Sequence, residues 1–482
     1  MRSNHRFLFC FAALVLLIFG ASNAAYAQWT HARQWNVYPG PDPEAARAHI
    51  QAVIDGARDG DTIYFNRGTY DFSSAPPNYP FQNGGALQII DKSLTIKGAF
   101  GSILVGAPVV IDDIGMKGIV CFHIENSDVN KDVTFDGLTF RTFMVGIGAI
   151  RTNDDPVNAI YYSNLRNLVV KNCTFLDIKR NGIVVAGAQG NITITHNSIN
   201  GDTSRFGMYI SWLWAPGQRE WQPNNTLVTV RDNSIDGFST GGIWLQRLSN
   251  ILIIGNALSN SGTGIDLGGL QNQATVSYNT LSDLNRGISV YGGTDIYNGY
   301  TFQTVARGLR LINNNFSNIR NTGIYIWGDL AHSNSIAFNT ISTVWGAGTA
   351  IYSSGYSNRY MNNVLRGFGW HAVYLTGADD SASGGQFWGA HHEYFFGNSV
   401  SGFAPQDPNE PGIARWHYYL DEYTHDNFIM GIPQEHATYV DNGINNTFRF
   451  VYPFEWATST TSLMSPTSLM VQQKPKKDAA TI

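Results

Sequence analysis

Asp266 stands in Gly264-Ile265-Asp266-Leu267, where apolar neighbours on an extended chain send its carboxylate to the opposite face. A carboxylate there can act as general acid or base, or orient a sugar hydroxyl. Arg180 and Arg205 sit two residues before equivalent strand glycines, Arg247 ends the next such strand and Arg286 precedes a later one. They form a local basic edge suited to carboxylates of an acidic substrate. Separate pairing with Asp202, Asp236 and Asp283 is the structural alternative. A second cluster holds His371, Tyr374, Asp379, Asp380, His417, Tyr419, Asp421, Glu422 and His425. His371 or His417 beside a tyrosine suits proton transfer, and Asp421 is the other candidate acid. Asp266, Asp421 and His371 are thus candidate catalytic residues of alternative centres. His391-His392-Glu393 is set aside as a metal site, and no metal ligand set is expected.

These residues are placed by a repeat. Extended runs ending in Asn recur, as in Asn191-Ile-Thr-Ile-Thr-His-Asn-Ser-Ile199 and Ala274-Thr-Val-Ser-Tyr-Asn-Thr-Leu281. The Asn positions are 172, 197, 233, 256, 279, 314, 339, 363 and 398, spaced by 25, 36, 23, 23, 35, 25, 24 and 35. The basic period is about 24 residues, and three repeats carry an insert of about 11. Between the Asn positions lies a Gly-Ile-x-Val type strand, as in Gly182–Val185, Gly207–Ile210, Gly264–Leu267 and Gly323–Ile326. A coil of three short strands cannot bury its own inner face, so coils must stack. Stacked Asn side chains then form a ladder, which identical charges could not do.

With Ile and Val inward, the first outward column reads Val184, Tyr209, Trp244, Asp266, Ser289, Tyr325, Tyr352, Tyr374, Tyr419. The second reads Ala186, Ser211, Gln246, Gly268, Tyr291, Trp327, Ser354, Thr376, Asp421. Aromatic rings are costly to leave wet. Either a glycan stacks on Tyr209, Trp244, Tyr291, Tyr325, Trp327, Tyr352 and Tyr374, with Arg180, Arg205, Arg247 and Arg286 beside it, or inserted loops cover them. The inserts Trp212–Asn225, Gly292–Ala306 and Gly377–Ala390 follow this strand and suit cleft walls. They carry Trp214, Trp221, Tyr297, Tyr300, Phe387 and Trp388. Asp266 and Asp421 lie about five coils, or about 24 Å, apart. A hydrolytic carboxyl pair needs about 5–9.5 Å, so they are not partners.

The Gly-Ile-x-Val and Ile-x-x-Asn-x-Ile coils resemble the right-handed parallel β-helix repeats of the pectin-lyase-like superfamily, over roughly residues 36–450. The resemblance implies an all-β fold: a right-handed single-stranded parallel β-helix solenoid of about 11–12 coils with an N-terminal capping helix near 44–57. Ile50, Val53, Ile54 and Ala57 would plug the open core. It also implies a glycan groove along the Gly-Ile-x-Val strand. Tyr419-Leu420-Asp421-Glu422 resembles a strand end of some β-helix glycosidases. Gly-His-Gly, Arg-Ile-Lys, Asp-Pro-His-Asp and Arg-x-Pro-x-x-Arg are lacking, and Asn153-Asp154-Asp155 only faintly resembles a polygalacturonase acid pair. The best-known subfamilies are therefore disfavoured.

Composition agrees. The 482 residues hold 31 Lys+Arg against 36 Asp+Glu, a formal net charge of −5, and only 14% are charged. There are 50 Gly and 43 Asn, and 13% of residues are aromatic. This excludes disorder and long coiled coils, and supplies no basic excess for nucleic acid. Arg2, His5 and Arg6, the apolar run Phe7–Phe19 and Ala25-Tyr26-Ala27 read as a secretory signal over 1–27. The expected domain is 28–456, followed by a disordered tail over 457–482. Cys121 and Cys173 are expected as buried free thiols. The expected function is that of an exported polysaccharide lyase or glycosidase, periplasmic or extracellular, with no cofactor and calcium allowed but not indicated. Its partner is a polysaccharide or oligosaccharide, with no nucleic acid and no membrane after signal cleavage. The alternative is a non-catalytic glycan-binding or structural β-helix protein.

Overall fold

The computed structural model describes residues 32–450 except 78–83, 113–114, 128–129, 150, 153–160, 163–164, 188–189, 212–226, 270–272, 298–299, 345–347, 380–386, 404–414 and 434–437. The signal segment, the tail, Asn153–Asp155, Trp214, Trp221 and Asp380 lie outside the described residues.

Inward apolar residues, mostly Ile and Val, make the coil. Ile183, Met208, Ile243, Ile265, Ile288, Ile324, Ile351, Val373 and Tyr418 pair in sequence along one parallel sheet. Each is at most 1% exposed. Full burial of such a side chain is worth about 1.5–3 kcal/mol, and the stack repeats that gain at every coil. The strand glycines have a steric reason. A Cβ on Gly264 would lie 2.6 Å from Leu281 Cδ2 and 2.7 Å from the Gly287 carbonyl oxygen. Alanine takes this place at Ala350 and Ala372, both fully buried.

The helix α1 (Pro43–Gly56) closes the N-terminal end. Asp42 caps it by accepting from the Glu44 and Ala45 amides at 3.0 and 3.2 Å. Ile50, Ile54 and Ala57 are buried, and Val53 packs against the same core.

Asn197, Asn233, Asn256, Asn279, Asn314, Asn339, Asn363 and Asn398 form the expected ladder. Each of the first seven donates from Nδ2 to the next Oδ1 at 2.9–3.0 Å. Asn172 is not a rung. It takes the left-handed turn conformation, φ 55°, and donates to Asp136. Cys173 fills its place, its amide donating to Asn197 Oδ1 at 2.9 Å. Cys121 and Cys173 are free and buried. A second ladder runs on another turn through Asn334, Asn358, Glu393, Asn427 and Asn446.

Candidate functional site

The outward column is realised. Val184, Tyr209, Trp244, Asp266, Ser289, Tyr325, Tyr352, Tyr374 and Tyr419 pair in that order. In the second column Ala186, Ser211, Gln246, Gly268, Tyr291 and Trp327 pair likewise. Two inserts leave the sheet as antiparallel hairpins, Gly293–Tyr297 with Tyr300–Thr304 and Gly377–Asp379 with Phe387–Gly389. The side chains of Tyr297, Tyr300, Asp379, Phe387 and Trp388 lie outside the described residues.

The aromatic residues satisfy one another. Tyr209 stacks on Trp244 at 4.3 Å and 24°. Tyr325 stacks on Tyr352 at 4.9 Å and 23°, with Trp327 alongside Tyr325 at 7°. Beyond them Tyr374 stands edge-on to Tyr352 and Tyr419. These distances match the strand spacing, so most ring faces look along the solenoid axis at another ring. The rings of the column therefore stack mainly on one another. Val184 is the exception. It is fully buried with Val120, Met144, Val145 and Ala186, so the groove is closed there.

The stacks break at Asp266 and Ser289. Trp244 has Tyr209 on one face, and its other face looks toward Asp266. Tyr325 has Tyr352 on one face, and the Arg286 guanidinium lies 4.4 Å from its ring centroid. Trp244 and Tyr325 are three coils apart, about 14 Å at the sheet spacing. The guanidinium takes about 4 Å of this, and the remaining notch is narrow at its base, where Ser289 is only 6% exposed. Asp266, Gly268 and Ser289 form the floor of this notch.

Burial pushes the Asp266 carboxyl up to about 6, and Arg286 holds it from rising further. Asp266 is the only acid in the two columns between Tyr209 and Trp327. Arg180 and Arg205 are adjacent in register, with the Arg205 amide on the Arg180 carbonyl at 3.0 Å. Burial, and then Arg205, lower Arg180 to about 10. Arg247 is buried at the end of its strand. The three aspartates take other partners: Asp202 meets Lys179, Asp236 accepts from Ser259 and Asn260, and Asp283 accepts from Asn318.

The second cluster converges in part: His371, Tyr374 and Tyr419 are in mutual ring contact, while its other members turn elsewhere. The Asp421 carboxylate accepts from Thr376 Oγ1 and from the Gly377 and Tyr423 amides, which ties a turn. His417 is buried with Thr438 on Nδ1. His425 meets Asp426. His371 is 1% exposed and stacks on Tyr419 at 4.9 Å. Burial lowers it to about 4, so its ring is neutral at pH 7.

Glu393 is the group that sequence reasoning passed over. It is fully buried, and Oε1 accepts from Asn358 Nδ2 at 2.8 Å and Ser353 Oγ at 3.3 Å. Burial pushes it up to about 8, so it stands in the ladder as a neutral acid. Its place in the Asn register was the available signal. Beside it, His332, Tyr356, His391 and His425 form an external ring stack. Among the described residues no group of His, Cys, Asp and Glu is arranged to hold a metal. No described helix is long and apolar enough to cross a membrane.

Comparison with known proteins concerns the fold. The family described as right handed beta helix region matches residues 221–306. No curated protein sequence matches the chain. Among solved structures, the catalytic unit of a GH87 alpha-1,3-glucanase from Streptomyces thermodiastaticus is 12% identical, with 87% of this chain and 69% of that one covered and a TM-score of 0.45. A family 28 exopolygalacturonase from Yersinia enterocolitica is 14% identical, covering 86% and 78% at a TM-score of 0.39. PfbA, a surface adhesin of Streptococcus pneumoniae, is 12% identical, covering 78% and 92% at 0.38. The all-parallel coil registers, the glycine and asparagine columns and the match over residues 221–306 make the fold a right-handed parallel β-helix.

Proposed function

We propose that this chain is an exported carbohydrate-active β-helix protein, and that its reaction centre is the notch at Asp266. The supporting observation is a mostly buried carboxyl raised to about 6, between the Trp244 ring, on which Tyr209 and Phe206 stack, and the Arg286–Tyr325 pair. A sugar ring standing in the notch meets an apolar wall, a cation and a proton-transfer group at once.

A glycosidase of the common type needs a second carboxyl within about 5–9.5 Å. The columns around Asp266 supply none among the described residues. This favours lyase chemistry on a uronate. Asp266 removes the proton beside the carboxyl group, the electron pair forms a C=C bond, and the glycosidic oxygen leaves with the proton that Asp266 has taken up. Arg286 neutralises the substrate carboxylate and makes that proton more acidic. The second reading, a non-catalytic glycan-binding protein, is favoured by the self-stacked rings, which need no ligand to be stable.

A panel of acidic and neutral polysaccharides, scored for reducing ends and for ultraviolet absorbance of new C=C bonds, separates these readings. Unsaturated ends support the lyase. Reducing ends alone require a hydrolase. Neither product from any bound polysaccharide leaves a binder.

A further inference from the structure

The sheet carrying Val228–Arg231, Ile251–Ile254, Ala274–Ser277 and their successors has an outer face the groove does not use. Two columns line it. One reads Thr229, Leu252, Thr275, Arg310, Ser335, Arg359, Tyr394, Phe428 and Thr447. The other reads Arg231, Ile254, Ser277, Ile312, Ala337, Met361, Phe396, Met430 and Arg449. From these coils onward neither column contains an acid, although the second continues upstream through Thr195 and Lys171 to Asp136, Arg231 pairs with Asp232 at the edge, and the whole chain carries −5.

The apolar members gather toward the C-terminal coils. Tyr394 is 46% exposed and Phe396 54%, with Phe338 at the margin 55% exposed. Arg359, Met361, Tyr394 and Phe396 line an open depression of 240 Å³. Arg310 and Arg359 are exposed. Arg449 lies 5.7 Å from the Phe428 ring.

We infer that this face docks on a membrane surface containing anionic lipid. Charge complementarity selects that partner. Exposed aromatic and Met side chains suit the acyl boundary, while arginines extend to phosphates. A neutral glycan surface would leave the arginines unmatched. A second copy is disfavoured because both faces of a two-fold contact would bring arginines and no acid. The partner is also planar, as is a β-helix sheet face. The inference reverses the expectation of no membrane partner and is independent of the groove.

The test is sedimentation of the full chain, after export and processing, with phosphatidylcholine vesicles and with vesicles of phosphatidylcholine and phosphatidylglycerol in equal amounts. Binding is expected only to the anionic vesicles and should weaken in high salt. Arg359→Gln should lower the partition coefficient about fivefold. Phe396→Ser should lower it further, with the melting temperature unchanged because the ring is exposed. Trp244→Ala should bind vesicles like the parent. Equal binding to both vesicles, no binding, or indifference to Arg359→Gln and Phe396→Ser overturns the proposal. Co-purification of an acidic protein on this face, without vesicle binding, assigns it to that protein instead.

Discussion

At the scale of single residues, Asp266 joins a gain and a cost. A carboxyl held at about 6 is close to ideal for proton transfer near neutral pH, yet its charge is disfavoured by burial. The folded value lies above the unfolded one of 3.8, so the folded chain holds this proton more tightly. Stability from this group is present below pH 3.8 and is lost as pH rises through about 6. Asp266→Asn should therefore reduce turnover by about 10²–10⁴ while raising the melting temperature at neutral pH. Kinetics and calorimetry on the same preparations check both signs. Trp244 and Tyr352 should separate in the same way. Trp244→Ala removes a wall of the notch and should weaken glycan binding, read by isothermal titration. Tyr352→Ala breaks a ring stack on the outer face and should cost about 1–3 kcal/mol of stability in a denaturant titration.

At the scale of elements, the ladders carry polar satisfaction down the solenoid. Asn279 accepts from the Asn256 amide and side chain and donates to the Ile253 carbonyl and Asn314. Asn279→Ala leaves these buried partners unmatched and should destabilise by about 2–5 kcal/mol, read from denaturant melts. Glu393 is the exception among the rungs. Its folded value of about 8 exceeds the reference of 4.5, so the folded state holds a proton that the unfolded chain releases. Stability from this rung is full below pH 4.5 and declines as pH rises through about 8. Glu393→Gln keeps the neutral shape and should flatten that decline. Parallel pH slopes for Glu393→Gln and the parent would show that the rung is already ionised.

At the scale of the molecule, the sequence made the coil legible because every structural column repeats. The inward Ile/Val row, the strand glycines and both outward columns up to Trp327 could be written down from spacing alone. Direction along the axis was not legible. Tyr209 over Trp244 reads as two open platforms in one dimension and as one closed stack in three. Cys173 replaces Asn172 as a rung because a short shift at the ladder's end is invisible to a residue-type search. Glu393 looked like part of a discounted His-His-Glu motif, and only register places it in an amide ladder. Asp421 had the right neighbours for an acid, but its oxygens are committed to a turn.

The most direct test is the pH dependence of polysaccharide cleavage by the parent chain and Asp266→Asn, with substrate binding measured in parallel. The account predicts unsaturated products whose rate of formation rises with pH through about 6 in the parent. It predicts that Asp266→Asn binds the same polysaccharide but forms them at least about a hundredfold more slowly. Full turnover by Asp266→Asn with an unchanged pH profile would contradict it.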